Sequence, residues 1–247
     1  MGYRWMLFLA LTVPGLLVEP LPSGAQEGKA RVAGYLEEKT PAFAAAAMEI
    51  WDLAELGYLE TRSSEILAGM LEEAGFTIRR GVAGIPTAFV ASFGSGDPVL
   101  GILGEYDALP GINQDRVPYR QPVEGKEGAH ACGHNLFGTA SAAAALAAAR
   151  WLEESGSSGT IRFYGTPAEE GGSGKVYMVR AGLFDDVDVV LTWHASDRND
   201  ASPGSNLSVK SAKFRFSGVS AHSAAAPDRG RSALDGVEAM NDMVNML

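Results

Sequence analysis

The sequence predicts an α/β fold, a sheet covered by helices on both faces. Candidate strands alternate with candidate helices along most of the chain. Several of those strands are hydrophobic throughout, as strands buried on both sides are. The 247 residues, 46% hydrophobic and 20% charged, have the composition of a soluble globular protein and suffice for one large domain or two smaller ones.

The chain opens with Arg4, an apolar run from Trp5 to Val13 broken by Pro14, and the small residues Ser23, Gly24 and Ala25. That layout reads as a signal peptide over residues 1–25, cleaved after Ala25, and is shorter than the about twenty apolar residues of a membrane span. An exported protein, periplasmic or secreted, is expected. Residues 42–56 read as a helix with Pro41 at its first position, and residues 63–74 as a second, with Ser63 as N-cap and Gly75 just past its end. Residues 76–80, 87–93 and 99–103 read as strands bounded by Gly and Pro. Residues 136–154 form an Ala-rich helix uncharged before Arg150, hence one buried on most sides. A strand over 160–164, a short helix over 174–181 and an apolar strand over 187–193 follow.

The pattern changes at the polar stretch 197–203. Residues 208–217 alternate polar and apolar, as a half-exposed strand does, and a helix opens after Gly230 and runs to Leu247. The expected organisation is one domain over 26–205 and the start of a second over 206–247. Thirty acidic against twenty basic residues give a net charge of −10, which argues against nucleic acid or an anionic membrane as partner.

One cysteine and four histidines concentrate the chemistry. Cys132 lies between His130 and His134, His194 follows Trp193, and His222 lies in Ser220-Ala221-His222-Ser223. A lone thiol in an oxidising compartment is buried, paired between chains, or held by a metal. Thiolate and neutral imidazole are favoured ligands of zinc-like ions. Cys132 also precedes a helix, whose exposed amides favour a thiolate. The motifs fall at strand ends or helix starts, where α/β sheets place their sites. Asp107, after the strand ending at Leu103, is either a turn former ahead of Pro110 or a carboxylate that fixes a ligand imidazole's tautomer. Glu169 and Glu170 are either first-turn acids serving a helix dipole or a pair in which one ligates and the other moves a proton. His194 is a ligand or a hydrogen-bonded loop histidine, and His222 read alone is a solvated one.

Glu105-Tyr106-Asp107-Ala108-Leu109-Pro110, His130-Ala131-Cys132-Gly133-His134-Asn135, Pro167-Ala168-Glu169-Glu170-Gly171 and Trp193-His194 resemble the aminoacylase/carboxypeptidase-type dinuclear metallopeptidases. The branch they resemble is the amidohydrolases of auxin conjugates and p-aminobenzoyl-glutamate. The resemblance, over residues 35–247, implies a mixed, mostly parallel sheet sandwiched by helices, with an inserted α+β lid and dimerisation domain. It implies two divalent ions, zinc or manganese, held by Cys132, His134, Glu170 and His194, with Glu169 as general base and Asp107 orienting a ligand. It implies a small N-acyl amino acid or dipeptide-like substrate whose carbonyl is polarised by His222 from the partner in a homodimer. Glu105 stands where many relatives outside the branch carry a metal-binding histidine, and His130 matches no ligand position. The family supplies one more histidine ligand near its C-terminus, and no histidine follows His222 here, so the polypeptide is expected to be a fragment inactive alone.

Two other readings use the same residues differently. A cysteine hydrolase would use Cys132 as nucleophile with a histidine base, and would survive chelation. A non-catalytic metal- or peptide-binding relative would bind without turnover, and would have no need of an unligated Glu169.

Overall fold

The computed structural model describes residues 23–201, 204–205 and 207–247, so residues 1–22 of the expected signal segment lie outside it. The chain divides into two compact units, one ending at Asp197 and one beginning at Arg198. Among the described residues, no helix is long and apolar enough to cross a membrane.

In the first unit, α1 (Ser23–Leu53) is much longer than expected and carries Pro41 in its interior rather than at its start. Residues 26–31 are mostly good helix formers, and packing against a neighbour outweighs the proline's missing amide. That neighbour is α3 (His134–Ser155): Arg150 lies 5.0 Å over the Tyr35 ring, and Arg31 and Glu154 approach to 3.8 Å. The cleavage point expected after Ala25 falls within the first turn of α1. The second helix, α2 (Thr61–Glu73), starts two residues early, with Glu60 and not Ser63 at the N-cap position. Ser63 is instead a recipient: its amide and hydroxyl both donate to Glu55, at 2.8 and 2.7 Å.

The sheet is mixed. Its strands are β1 (Thr77–Arg80), β2 (Phe89–Ser95), β3 (Val99–Gly104), β6 (Gly159–Gly165) and β7 (Val189–Leu191), in the order β1-β2-β6-β3-β7. The pairs β1/β2 and β2/β6 are antiparallel, whereas β3 runs parallel to both β6 and β7. A small ribbon pairs β4 (Leu109–Pro110) with β5 (Gly128–Ala129). Strand alternation separates two cores. Phe89, Ala91, Ile161 and Phe163 pack with Ile50, Leu67, Leu71 and Leu146 of α1, α2 and α3. Val90 and Tyr164 face the other way, against Ile85, Ala88 and Met178, the last from α5 (Gly174–Arg180). Helix α4 (Glu169–Gly172) is a short, irregular turn between β6 and α5.

In the second unit, α6 (Ala233–Val244) opens at Ser232, whose hydroxyl accepts the Asp235 amide at 3.2 Å. It stops at Val244 rather than running to Leu247, with Asn245 at its C-cap position. The strand expected over 208–217 does not form among the described residues. Alternation alone makes no strand where no neighbour offers a ladder, and among the described residues of the unit the one pairing is the Val219–Arg231 bridge.

Candidate metal centre

The three parallel strands end side by side, and each end delivers a motif. β3 runs into Glu105, Tyr106 and Asp107; β6 into Pro167, Ala168, Glu169 and Glu170; β7 towards Trp193 and His194. The first two ends are tied together by Thr166, whose amide donates to the Gly104 carbonyl at 2.9 Å. α3 arrives over the same edge. Gly138 in its first turns lies so close to the Glu105 backbone carbonyl that any side chain there would strike it. That approach sets His134, the first residue of α3, beside Asp107. On the other flank, the Trp193 indole donates to the Ser141 hydroxyl of α3 at 3.1 Å, which steadies the segment carrying His194.

His134 is fully buried. Its Nδ1 lies 3.0 Å from Asp107 Oδ1, and the other carboxylate oxygen of Asp107 accepts the Glu170 amide at 2.8 Å. Asp107 thus fixes both a ring and the turn bearing two acids, the role of a carboxylate behind a metal ligand. With Nδ1 donating to Asp107, Nε2 points into the centre. It lies 2.9 Å from Glu105 Oε2 and 3.9 Å from carboxylate oxygens of both Glu169 and Glu170. Cys132 Sγ approaches His194 Nε2 at 3.2 Å. Donor atoms of Cys132, His134 and His194 lie within 4.8 Å of one another, as do those of Glu105, His134 and Glu169.

These residues fit a cation. Glu170 Oε1 is buried without a hydrogen-bond partner, and the buried His134 Nε2 and Glu105 Oε2 have none beyond each other, the mark of a site completed by something other than protein. Four carboxyl groups here meet the His134 imidazole and the Lys175 ammonium, 2.5 Å from Glu105 Oε1, leaving an excess of negative charge.

That excess dominates the titration. Burial alone would keep His134 neutral, but Asp107 and Glu105 outweigh it and raise its pKa to about 10. Burial pushes the Asp107 carboxyl up, and bonds from His134 and the Glu170 amide outweigh that, leaving it below its ordinary range. Glu105 behaves likewise, with burial opposed by His134 and Lys175. The Glu169 carboxyl is raised, first by burial and then by Glu105. Burial and the neighbouring Glu170 lift the Cys132 thiol to about 11. Burial and the neighbouring acids thus outweigh the pull of the helix start, and the protein groups by themselves favour the thiol.

Of the residues singled out in the sequence, Cys132, His134, Glu169, Glu170, His194 and Asp107 come together. His222 belongs to the second unit, where its Nδ1 accepts the amides of Ala224 and Ala225 at 3.2 and 3.1 Å and so caps its own turn. His130 takes no part in the centre: its Nε2 lies 3.0 Å from the Ile50 carbonyl, and burial lowers its pKa to about 4. Sequence reasoning missed Lys175 and gave Glu105 no ligand role. The acid's position in the motif could have raised the question; nothing local marks the lysine.

A cluster of thiol, imidazoles and carboxyls at the ends of parallel strands defines a metallopeptidase-type α/β domain. Residues 101–236 match Peptidase family M20/M25/M40, and the chain belongs to that family. It is 52% identical over 203 residues to a subunit of the p-aminobenzoyl-glutamate hydrolase of Escherichia coli, an alignment covering 81% of this chain and 42% of that protein. It is 32% identical to the Xaa-Arg dipeptidase of Mus musculus, over 88% of this chain and 50% of that one. The chain therefore spans about half the length of the curated relatives it matches. Among solved structures, a dinuclear metal binding peptidase of the M20 family from Bacillus subtilis superposes with a TM-score of 0.50 at 26% identity, covering 63% of this chain and 44% of that one. The expected family and mixed-sheet architecture are thus observed.

Proposed function

We propose that the protein is a metal-dependent amidohydrolase that frees an amino acid from an N-acyl amino acid, an aminobenzoyl-glutamate-like compound or a dipeptide. One observation carries this reading: the buried Nε2 of His134 faces three carboxylates and shares a 4.8 Å cluster with Cys132 and His194. Cys132, His134, His194 and Glu170 would hold two divalent ions, zinc or manganese, whose chemistry is to acidify a water and polarise an amide carbonyl. The names of the relatives, a hydrolase of p-aminobenzoyl-glutamate and a dipeptidase, support the amide as the bond cleaved.

Glu169 is the residue suited to move the proton. It stands in the same turn as Glu170, its side chain keeps 42% exposure, and its raised pKa suits a base that must also give the proton back. It accepts a proton from water and delivers it to the departing amine. Asp107 keeps the His134 ring and the Glu170 amide in place while this happens. His222, on the reading that the second unit forms a homodimer, would donate to the substrate carbonyl held by the other protomer. The pattern of residues 1–25 supports export to the periplasm or beyond.

The 3.2 Å approach of Cys132 to His194 also suits a thiol nucleophile and its base. A thiol held at about 11 with carboxylates around it weighs against that reading. Full-length protein assayed on N-acetyl amino acids and p-aminobenzoyl-glutamate decides between them. A chelator should abolish turnover and zinc or manganese restore it; activity that persists without metal refutes the proposal.

A further inference from the structure

We propose that Glu60 is a positioning residue that fixes the turn carrying Glu169 from the far side of the fold. The proposal rests on the reading of Glu169 as the base. Glu60 occupies the N-cap position of α2, yet its side chain makes no bond to that helix's first amides. Glu55 does this instead, accepting the amides of Arg62 and Ser63 at 3.1 and 2.8 Å. The Glu60 side chain turns inward and is fully buried. Its Oε1 accepts the Ala168 amide at 2.8 Å and its Oε2 the Thr87 hydroxyl at 2.9 Å. Thr87 is itself anchored, since its carbonyl accepts the Tyr106 hydroxyl at 2.6 Å. Burying a carboxylate among neutral partners is unfavourable, and a surface Ser or Asp would cap α2 as well. Of the two bonds the inward-turned Glu60 makes, the one to Ala168 reaches the turn that carries Glu169.

Ala168 is where the turn needs holding. Its φ of 55° and ψ of 46° are left-handed, a conformation alanine adopts at a cost, and Glu169 is the next residue. The backbone beyond is also irregular, with Glu170 at ψ 45° and Gly171 at φ 119°. The carboxylate of Glu169 lies 3.9 Å from the His134 ring nitrogen, beyond hydrogen-bond reach, so the backbone of this turn sets its position. The loop that supplies Glu60 grips the other end as well: the Tyr58 hydroxyl donates to the Gly172 carbonyl at 2.6 Å. Between them Gly57 lies directly against Ala168, where a side chain would come within 3.0 Å of its Cβ. The α1–α2 loop is thus a clamp on the turn, closed by Glu60 at Ala168 and by Tyr58 at Gly172.

The test compares Glu60→Ala, Glu60→Gln and Tyr58→Phe with wild type in the full-length protein, by amide hydrogen exchange over residues 166–173, zinc content and steady-state kinetics. Glu60→Ala should speed exchange in that segment about tenfold or more relative to β6. It should lower kcat about 10²-fold, as a displaced catalytic group does, while KM moves less than about threefold and zinc content holds. Glu60→Gln, whose amide oxygen still accepts the Ala168 N–H, should recover most of both losses. Tyr58→Phe, on a half-exposed ring, should give the same pattern at smaller amplitude, and it carries the test should Glu60→Ala not fold. Exchange and kcat at wild-type levels in the folded variants, or a loss of overall stability without either change, overturn the proposal. Glu169→Gln separates it from the reading beneath it: retained turnover there removes Glu169 as base, while the exchange measurement still reports whether Glu60 holds the turn.

Discussion

Loading the centre with zinc should expel about two protons. In the metal-free protein the Cys132 thiol titrates at about 11 and His134 at about 10. Both are therefore protonated at pH 8: about one thiol in a thousand and one ring in a hundred are free of the proton that blocks the metal. A thiolate and an Nε2 lone pair are needed for coordination, whereas Nδ1 keeps the proton it donates to Asp107, so each residue loses one. Apparent zinc affinity should then climb about a hundredfold per pH unit between about pH 7 and 9. Titration calorimetry in buffers of different ionisation enthalpy reads the proton count directly from the slope of heat against buffer enthalpy. Cys132→Ser should reduce the count to about one. A count near zero, or affinity flat over that range, would refute the assignment of these two side chains as ligands.

The same pKa values fix the sign of the metal-free protein's pH stability. Both groups titrate above their ordinary values, so the stability they contribute is full at and below about pH 6.5 and is lost as pH rises through about 10 to 11, measurable by urea unfolding. Asp107→Asn should weaken zinc binding about 10- to 100-fold in a competition titration, because His134 and the Glu170 amide lose their common anchor. Glu169→Gln in the full-length enzyme should keep its metal, measured by atomic absorption, while turnover falls about 10²- to 10⁴-fold. Gly138→Ala should destabilise the fold by about 1–3 kcal/mol in urea and weaken zinc binding with it, since the new methyl meets the Glu105 carbonyl and pushes His134 from Asp107.

The strands and the buried helix were legible because hydrophobic periodicity and glycine boundaries report tertiary burial directly. The helix expected over 136–154 forms as His134–Ser155, and the strand expected over 99–103 as Val99–Gly104. The donor cluster was legible because its motifs sit at strand ends or at the start of α3, and parallel neighbours bring the strand ends to one edge. What escaped depends on partners remote in sequence. Pro41 signals a helix start unless a neighbour such as α3 carries the helix through it. Ser63 has N-cap chemistry, but Glu55 had already satisfied the amides of that turn. Residues 208–217 alternate as a strand does, and alternation says nothing about whether a pairing strand is at hand. Glu60 and Lys175 carry no local signal; their roles come from Ala168, 108 residues away, and Glu105, 70 residues away.

The central claim is that Cys132, His134 and His194 bind one cation cluster with Glu170. Anomalous diffraction at the zinc edge, on crystals of the full-length protein grown with zinc, tests it most directly. The account predicts metal density about 2.3 Å from the Cys132 sulfur and about 2.0–2.1 Å from an imidazole nitrogen of His134 or His194. Zinc bound elsewhere, with the sulfur and both rings unligated, would contradict it.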